Sequence, residues 1–489
     1  MRAHIPNQAR NKEDILSEMS SMGSQDADWR GGRTWSMVYF AGDEHHDFLK
    51  RAHNLFFAEN ALNPMAFQSL KRMEAEVVQM TANMLHGPES AVGTMTSGGT
   101  ESILMAVKAA RDRARATKPW IRTPNIVVPK TIHVAFDKAA HYFGLKVRYV
   151  PVDKNFQVDL RALRKAITRN TVLVAASAPQ YPHGVVDPIE EAASIAAKKQ
   201  IPFHVDACFG GFILPWLEDL GHPIPTWDFR IPGVTSISAD VHKYGYAAKG
   251  ASTVIYRDMS YLKYQFFVST DWPGGIYASP SMPGTRPGGS IAAAWAAMQV
   301  MGKDGYRALA EKAWEASNRL RDGIASIEGL KVLGAPHSPV VTWGAENESL
   351  DIYAVADLME QKGWSVDRQQ HPASVHCTVN ANQVEIVKEY LADLEASASE
   401  VLANPSLTKE GTAPMYGLMA KVPLRGFVKS SVLKVMEGMY GPTGDMPDLS
   451  NLGSGEDLIF QNVVQIILSL IFGRKNDNDH PIYLQEVFL

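Results

Sequence analysis

Between residues 70 and 260, short apolar runs rich in Val, Ile and Ala alternate with stretches whose apolar residues recur every three or four positions. Runs of the first kind predict buried strands, and those of the second predict helices packed on them. Strands are predicted at Asn125–Val128, Lys146–Val150, Val172–Ala176, Phe203–Val205, Val234–Ser238 and Ser252–Tyr256. Helices are predicted at Lys71–Leu85, Glu101–Ala116, Ala135–Phe143, Leu160–Ile167 and Ile189–Lys199. That cadence belongs to an α/β domain with a mostly parallel sheet, whose ligands collect where the strands end.

Pro and Gly crowd the stretch from Asp271 to Ser290, so turns shape it and it is expected to lie over a site. A long helical pattern then runs from Ile291 to Ile327. Beyond it, Lys331–Leu333, Val340–Trp343 and Val375–Val379 read as strands, with helices at Ile352–Lys362 and Gln383–Ala403, which together suggest a smaller α+β unit. The expected organisation is an N-terminal segment over 1–57, a large domain over 58–315, and a small C-terminal domain with a tail over 316–489. The most apolar stretch, Leu458–Phe472, is interrupted by Gln461, Asn462, Gln465 and Ser469 and is too short to span a bilayer. It is expected to pack against the chain or against a second copy.

Composition narrows the class. With 489 residues, 45% hydrophobic and 20% charged, the chain can bury a large core. A net charge of -4 and the lack of a long basic block argue against a nucleic-acid surface. Cys208 and Cys377 are the only cysteines, so neither a disulfide framework nor a cysteine-based zinc site is expected, and a reducing compartment fits. Residues Met1 to Ser20 lack the unbroken apolar core of a signal peptide, so a cytoplasmic location is expected.

Four places carry candidate chemistry. Ser97-Gly98-Gly99-Thr100-Glu101 opens a helix, where unpaired backbone N–H groups and the dipole favour an anion and glycine lets a phosphate come close. His133 follows a strand and can lie flat on a planar ring. Asp206, in Phe203-His204-Val205-Asp206, can hold a proton on a ring nitrogen. In the run from Ser236 to Gly250, Lys243 ends a strand beside a polar turn, where burial would lower its pKa and free its amine for a Schiff base. Each alone is equally at home as a cap, a salt bridge or a solvated turn. Together, and in this order, they match the four needs of pyridoxal 5'-phosphate.

At this point a resemblance becomes specific. The chain resembles the sphingosine-1-phosphate lyase family, of the pyridoxal-phosphate decarboxylase-like group, from about Gly32 to Tyr416. The likeness runs through Thr96 to Ala106, His204 to Cys208, Ser236 to Gly250 and Asp271 to Pro280. It implies an aspartate-aminotransferase-like, type I pyridoxal-phosphate fold, with a large, mostly parallel domain and a smaller α+β domain. By this resemblance Lys243 bonds the cofactor, Asp206 pairs with its ring nitrogen and His133 stacks on the ring. Gly99, Thr100 and His242 hold its phosphate, with Gly289 supplied by the other subunit of a homodimer. Tyr39, Asn60, Lys249 and Thr285 fall at substrate-binding positions, and Tyr277 is a candidate for proton transfer.

Two departures stand out. Asn63 replaces a family histidine at the substrate phosphate and brings no positive charge. The membrane-anchoring helix of the eukaryotic members has no counterpart, so the chain is expected to resemble the soluble bacterial ones.

The implied reaction is a retro-aldol cleavage of the C2–C3 bond of a phosphorylated sphingoid base, giving a fatty aldehyde and phosphoethanolamine. Its base is left open among Tyr277, Lys249 and the cofactor phosphate. An amino-acid α-decarboxylase would share Lys243 and Asp206, but has no use for a phosphate clamp of Lys249 and Tyr39. A cofactor-binding protein without turnover is the other alternative, and an intact Lys243 with Asp206 weighs against it.

Overall fold

The computed structural model describes residues 4–409, 413 and 425–442. The Leu458–Phe472 stretch lies outside the described residues. One compact unit comprises residues 26–403; the described residues up to Gln25 and from Asn404 onward belong to another. The second unit contains the helices Lys12–Met22 and Arg425–Met439.

The centre of the unit 26–403 is a seven-stranded sheet built of β1 (Val92–Thr96), β2 (Asn125–Pro129), β3 (Lys146–Val150), β4 (Thr171–Ser177), β5 (Phe203–Asp206), β6 (Ser236–Ala239) and β7 (Ser252–Tyr256). Their spatial order is β1-β7-β6-β5-β4-β2-β3. The β3, β2, β4, β5 and β6 ladders are parallel, whereas β7 runs antiparallel to both β6 and β1. Six strands, β1 to β6, therefore point one way and deliver their C-termini to one edge. Every residue of β2, β4, β5, β6 and β7 is buried, which is why these strands read as continuous apolar runs.

Strand β1 has no such run. Val-Gly-Thr-Met-Thr alternates in polarity, and the strand is recruited by pairing with β7 rather than by its own hydrophobicity.

Two short strands, β8 (Phe267–Ser269) and β9 (Tyr277–Ser279), pair inside the Pro- and Gly-rich stretch. The following helix begins at Gly288, three residues before the predicted Ile291, and runs to Ser326. It breaks at Gly302, whose φ of 54° lies in the left-handed region that glycine tolerates. A second sheet joins β10 (Leu330–Val332), β11 (Val340–Ala345), β12 (Asp367–Gln369) and β13 (Ser374–Thr378), wholly antiparallel, in the order β10-β11-β13-β12. β12 was not predicted, since Asp-Arg-Gln carries no apolar signal. No helix among the described residues is long and apolar enough to cross a membrane.

Candidate active site

Where five strands end together, a cavity of about 420 Å³ opens. The segment after β1 supplies Ser97 to Glu101, the one after β2 supplies His133, and the loop after β4 supplies Pro179 and Tyr181. β5 and its exit add Asp206, Cys208 and Phe209, while the exit from β6 adds Asp240, His242 and Lys243. Gly99, Thr100, His133, Asp206, His242 and Lys243, predicted from segments scattered along the chain, thus face one space.

Lys243 departs from the expectation of a lowered pKa. Its Nζ lies 3.0 Å from Oδ2 of Asp240, a carboxylate buried at 2% exposure. Burial, the largest single influence, would lower the lysine pKa, but the charge of Asp240, then Tyr39 and Cys208, and the hydrogen bond to Asp240 together outweigh it and the net shift is upward. Conversely, although burial would raise the Asp240 carboxyl, Lys243 and then His242 hold it below its ordinary range. Asp240 was not predicted as a site residue. Its Oδ1 is buried and has no hydrogen-bond partner among the described residues.

Asp206 accepts from the Cys208 N–H (3.2 Å) and the Ser238 hydroxyl (3.3 Å), both at Oδ1. Behind it, buried His204 bridges Ser236 and Ser238 at 2.9 and 3.2 Å. Burial pulls the His204 pKa down to about 4, so the ring is neutral and serves as a spacer that orients Ser238. His242 is also neutral at physiological pH, because burial brings its pKa to about 4. Its Nδ1 accepts from the Ala251 N–H at 3.2 Å, which assigns the ring proton to Nε2. His133 Nδ1 likewise accepts from the Ala135 N–H at 3.1 Å.

The helix Gly99–Thr117 starts at the cavity, leaving the N–H groups of its first turn without intrahelical acceptors. A Cβ on Gly99 would lie 2.8 Å from both Asp240 Oδ2 and Cys208 Sγ, so only glycine leaves this close approach open. Glu101 folds back to accept from the Ser97 N–H (2.7 Å) and hydroxyl (2.6 Å) through Oε2, and from the Met282 N–H (2.9 Å) through Oε1. Its charge is thereby committed to three donors beside the helix start. Burial pushes the Cys208 thiol well up, which makes it an inert wall.

At the rim, Lys249 Nζ donates to the Met37 carbonyl and lies 5.4 Å from the centre of the Tyr39 ring. Burial, reinforced by the charge of Lys243, lowers the Lys249 pKa to about 8. Tyr39 meets Tyr244 edge-on at 4.9 Å, and its phenol pKa is raised, by burial foremost.

The remaining predicted residues form a separate group that does not line this cavity. Asn60 Nδ2 donates to Thr285 Oγ1 at 3.3 Å. Asn63 spends its Oδ1 capping the N–H groups of Met65 (3.0 Å) and Ala66 (3.2 Å). Tyr277 sits on β9 between Phe267 and Trp272. A Cβ on Gly289 would lie 2.6 Å from the His53 ring. The two groups approach each other where Gly250 packs against Ser290; a Cβ on Gly250 would be 3.0 Å from Ser290 Oγ.

The parallel sheet with a lysine at the end of β6 defines a class, the type I pyridoxal-phosphate fold. Residues 46–345 match the family described as the pyridoxal-dependent decarboxylase conserved domain. A glutamate decarboxylase of Lactobacillus brevis shares the fold at a TM-score of 0.72 and 22% identity, covering 83% of this chain and 96% of that one. A sphingosine-1-phosphate lyase of Burkholderia pseudomallei superposes with a TM-score of 0.82 at 37% identity, covering 91% of this chain and 98% of the other. A sphingosine-1-phosphate lyase of Arabidopsis thaliana is 44% identical over 435 residues, 87% of this chain and 79% of that protein. The chain belongs to the sphingosine-1-phosphate lyase family.

The cavity fits that family's cofactor on its own geometry. The Gly99 cradle that a Cβ would fill suits a phosphate at a helix start, and a cavity of about 420 Å³ lined by both His133 and Asp206 has room for an aromatic ring. Both hydrogen bonds to Asp206 fall on Oδ1, leaving Oδ2 for a ring N–H.

Proposed function

We propose that the protein is a cytoplasmic, homodimeric lyase that cleaves the C2–C3 bond of phosphorylated sphingoid bases, releasing a long-chain aldehyde and phosphoethanolamine. The observation that carries this reading is the pairing of two lysines. Lys243 lines the cavity, and Lys249, six residues on and beside Tyr39, is near enough to feel its charge. A single carbonyl-binding lysine would serve any enzyme of the fold; the second gives an anionic substrate group somewhere to dock.

When bound, the cofactor supplies an electron sink for the pair released from the breaking bond. Lys243 would hold its aldehyde carbon, Asp206 the proton of its ring nitrogen, and His133 the face of its ring. The first-turn N–H groups of Gly99 and Thr100, with the Nε2–H of neutral His242, are donors suited to its phosphate. The Lys249 ammonium and Tyr39 are assigned to the substrate phosphate, as are Asn60 and Thr285 of the separate group; Asn63, at the position of the family histidine, keeps its oxygen on its backbone cap and adds no charge. Tyr277 is assigned to proton transfer, and Gly289 to the cofactor phosphate of the second copy. Phe209, Tyr244 and Tyr39 pack edge to face at 5.3 and 4.9 Å, an apolar wall beside the lysine.

What supports a second copy is the exposed apolar face of the β8–β9 loop, where Phe267, Trp272 and Ile276 are 57%, 56% and 79% exposed. Two buried free thiols support a reducing compartment.

The test is direct. Purified protein should show a visible absorbance band that shifts on adding a phosphorylated sphingoid base, with aldehyde and phosphoethanolamine as products, and Lys243→Ala should lose both band and products. A colourless protein overturns the cofactor assignment, and a coloured one without aldehyde overturns the reaction.

A further inference from the structure

Tyr181 enters the cavity from the loop after β4 and is tied to the other sheet. Its ring stacks on His376 of β13, with centroids 4.1 Å apart and planes at 28°. Its hydroxyl donates to Oδ2 of Asp367 on β12 at 3.1 Å. A residue of the small antiparallel sheet thus reaches the edge where the parallel strands end.

The surroundings suit proton passage better than ionisation. Burial, then Asp367, raises the Tyr181 pKa far above neutrality, while Lys243 acts on the same phenol in the opposite sense. A phenol that stays neutral can still take a proton at Oη while giving its own to a bonded carboxylate. His376 does not claim that carboxylate. Burial pulls its pKa to about 4, and its Nε2 is bonded to Thr378 Oγ1 at 2.8 Å. Neighbouring Arg368 is engaged with Asp357 and Glu360. Asp367 is only partly buried, so a proton it receives can pass to water.

We propose that Asp367 is a positioning residue that acts through Tyr181 and is the terminal proton acceptor of the cleavage step, an inference that rests on the retro-aldol reading above. The proton of the substrate C3 hydroxyl moves to Tyr181 Oη as the Tyr181 proton moves to Asp367 Oδ2. The O–H pair becomes the second bond of the aldehyde carbonyl, and the C2–C3 pair leaves with C2. Later protonation of C2 consumes one proton, so the cycle balances.

Four variants test it: Asp367→Asn, Asp367→Glu, Tyr181→Phe and the Asp367→Asn/Tyr181→Phe double. Asp367→Asn and Tyr181→Phe should each lower kcat by about 10²- to 10⁴-fold. KM and the cofactor absorbance should hardly move, and Asp367→Glu should recover most of the loss. The double variant should be no slower than Tyr181→Phe, because the aspartate has no route to substrate except through the phenol. Wild-type kcat in Asp367→Asn, multiplied losses in the double variant, or a cofactor band lost from both Asp367 variants would each overturn the relay. A wild type that releases no aldehyde would overturn the cleavage reading, and the relay with it; an active wild type with an indifferent Asp367 overturns the relay alone.

Discussion

The strand-end wall of the cavity and its loop-built rim hold two lysines in opposite electrostatic states. Lys243, on the wall, touches a buried carboxylate and its pKa rises. On the rim, Lys249 has a carbonyl and an aromatic face but, among the described residues, no carboxylate in contact, and its pKa falls to about 8. Burial acts in the same direction on both. The difference lies in the neighbours: Asp240 foremost, with Tyr39 and Cys208, raises Lys243, whereas the charge of Lys243 itself adds to the lowering of Lys249, so a lysine's depth does not decide its charge until its neighbours are known.

The largest effect is expected from removing the Asp240 carboxylate. Asp240→Asn should remove the largest influence that opposes burial at Lys243 and lower its pKa. It should also cost about 3 kcal/mol of stability, the low end for a broken buried pair because Lys243 is partly exposed. Denaturant titration would measure it. Because the folded Asp240 pKa is depressed, its contribution is present above the unfolded carboxylate value and disappears as pH falls through the folded one. Wild type and variant should therefore converge in strong acid, and a gap that persists there would mean the loss was not electrostatic.

A smaller effect is expected at the rim. Lys249→Ala should raise KM for a phosphorylated sphingoid base by about 10- to 100-fold, the value of a charged hydrogen bond, and abolish the preference over the unphosphorylated base. In the wild type the same preference should weaken as pH climbs through about 8 and the ammonium is lost. A flat profile from pH 7 to 9, within the range of about one unit either side of that value, would remove Lys249 from the clamp.

The smallest effect concerns Asn63. Its oxygen is occupied by two backbone N–H groups, so Asn63→Ala should cost about 1 kcal/mol of stability and change KM little. A large rise in KM would show that the side chain leaves its cap to meet substrate.

The legible part of this site was the local part. Gly99, Thr100, His133, Asp206 and Lys243 each stand where a strand ends or a helix begins, and those boundaries are written in short-range apolar patterning. Asp240, Tyr181, Glu101 and Asp367 were not legible, because their roles arise from contacts across the fold. Tyr181 and Asp367 are 186 residues apart in sequence, and Glu101 and Met282 are 181 apart. The fold divided in the same way. The buried strands were read to within a residue or two, whereas β1 and β12 lack an apolar run and exist because neighbouring strands complete them. The pKa of Lys243 was misjudged for a related reason, since burial can be inferred from a strand end but the rotamer that brings Asp240 into contact cannot.

Glu101 fastens two parts of the machine that otherwise have separate histories in the chain. One oxygen grips the turn that opens the phosphate cradle, and the other grips the backbone at Met282, in the segment that carries Tyr277 and Thr285. That segment cannot swing away without tugging on the cradle or releasing a buried carboxylate into an unmet need for donors. The cradle and the segment that carries Tyr277 and Thr285 are thus joined through a single buried side chain, so a disturbance at either end is felt at the other.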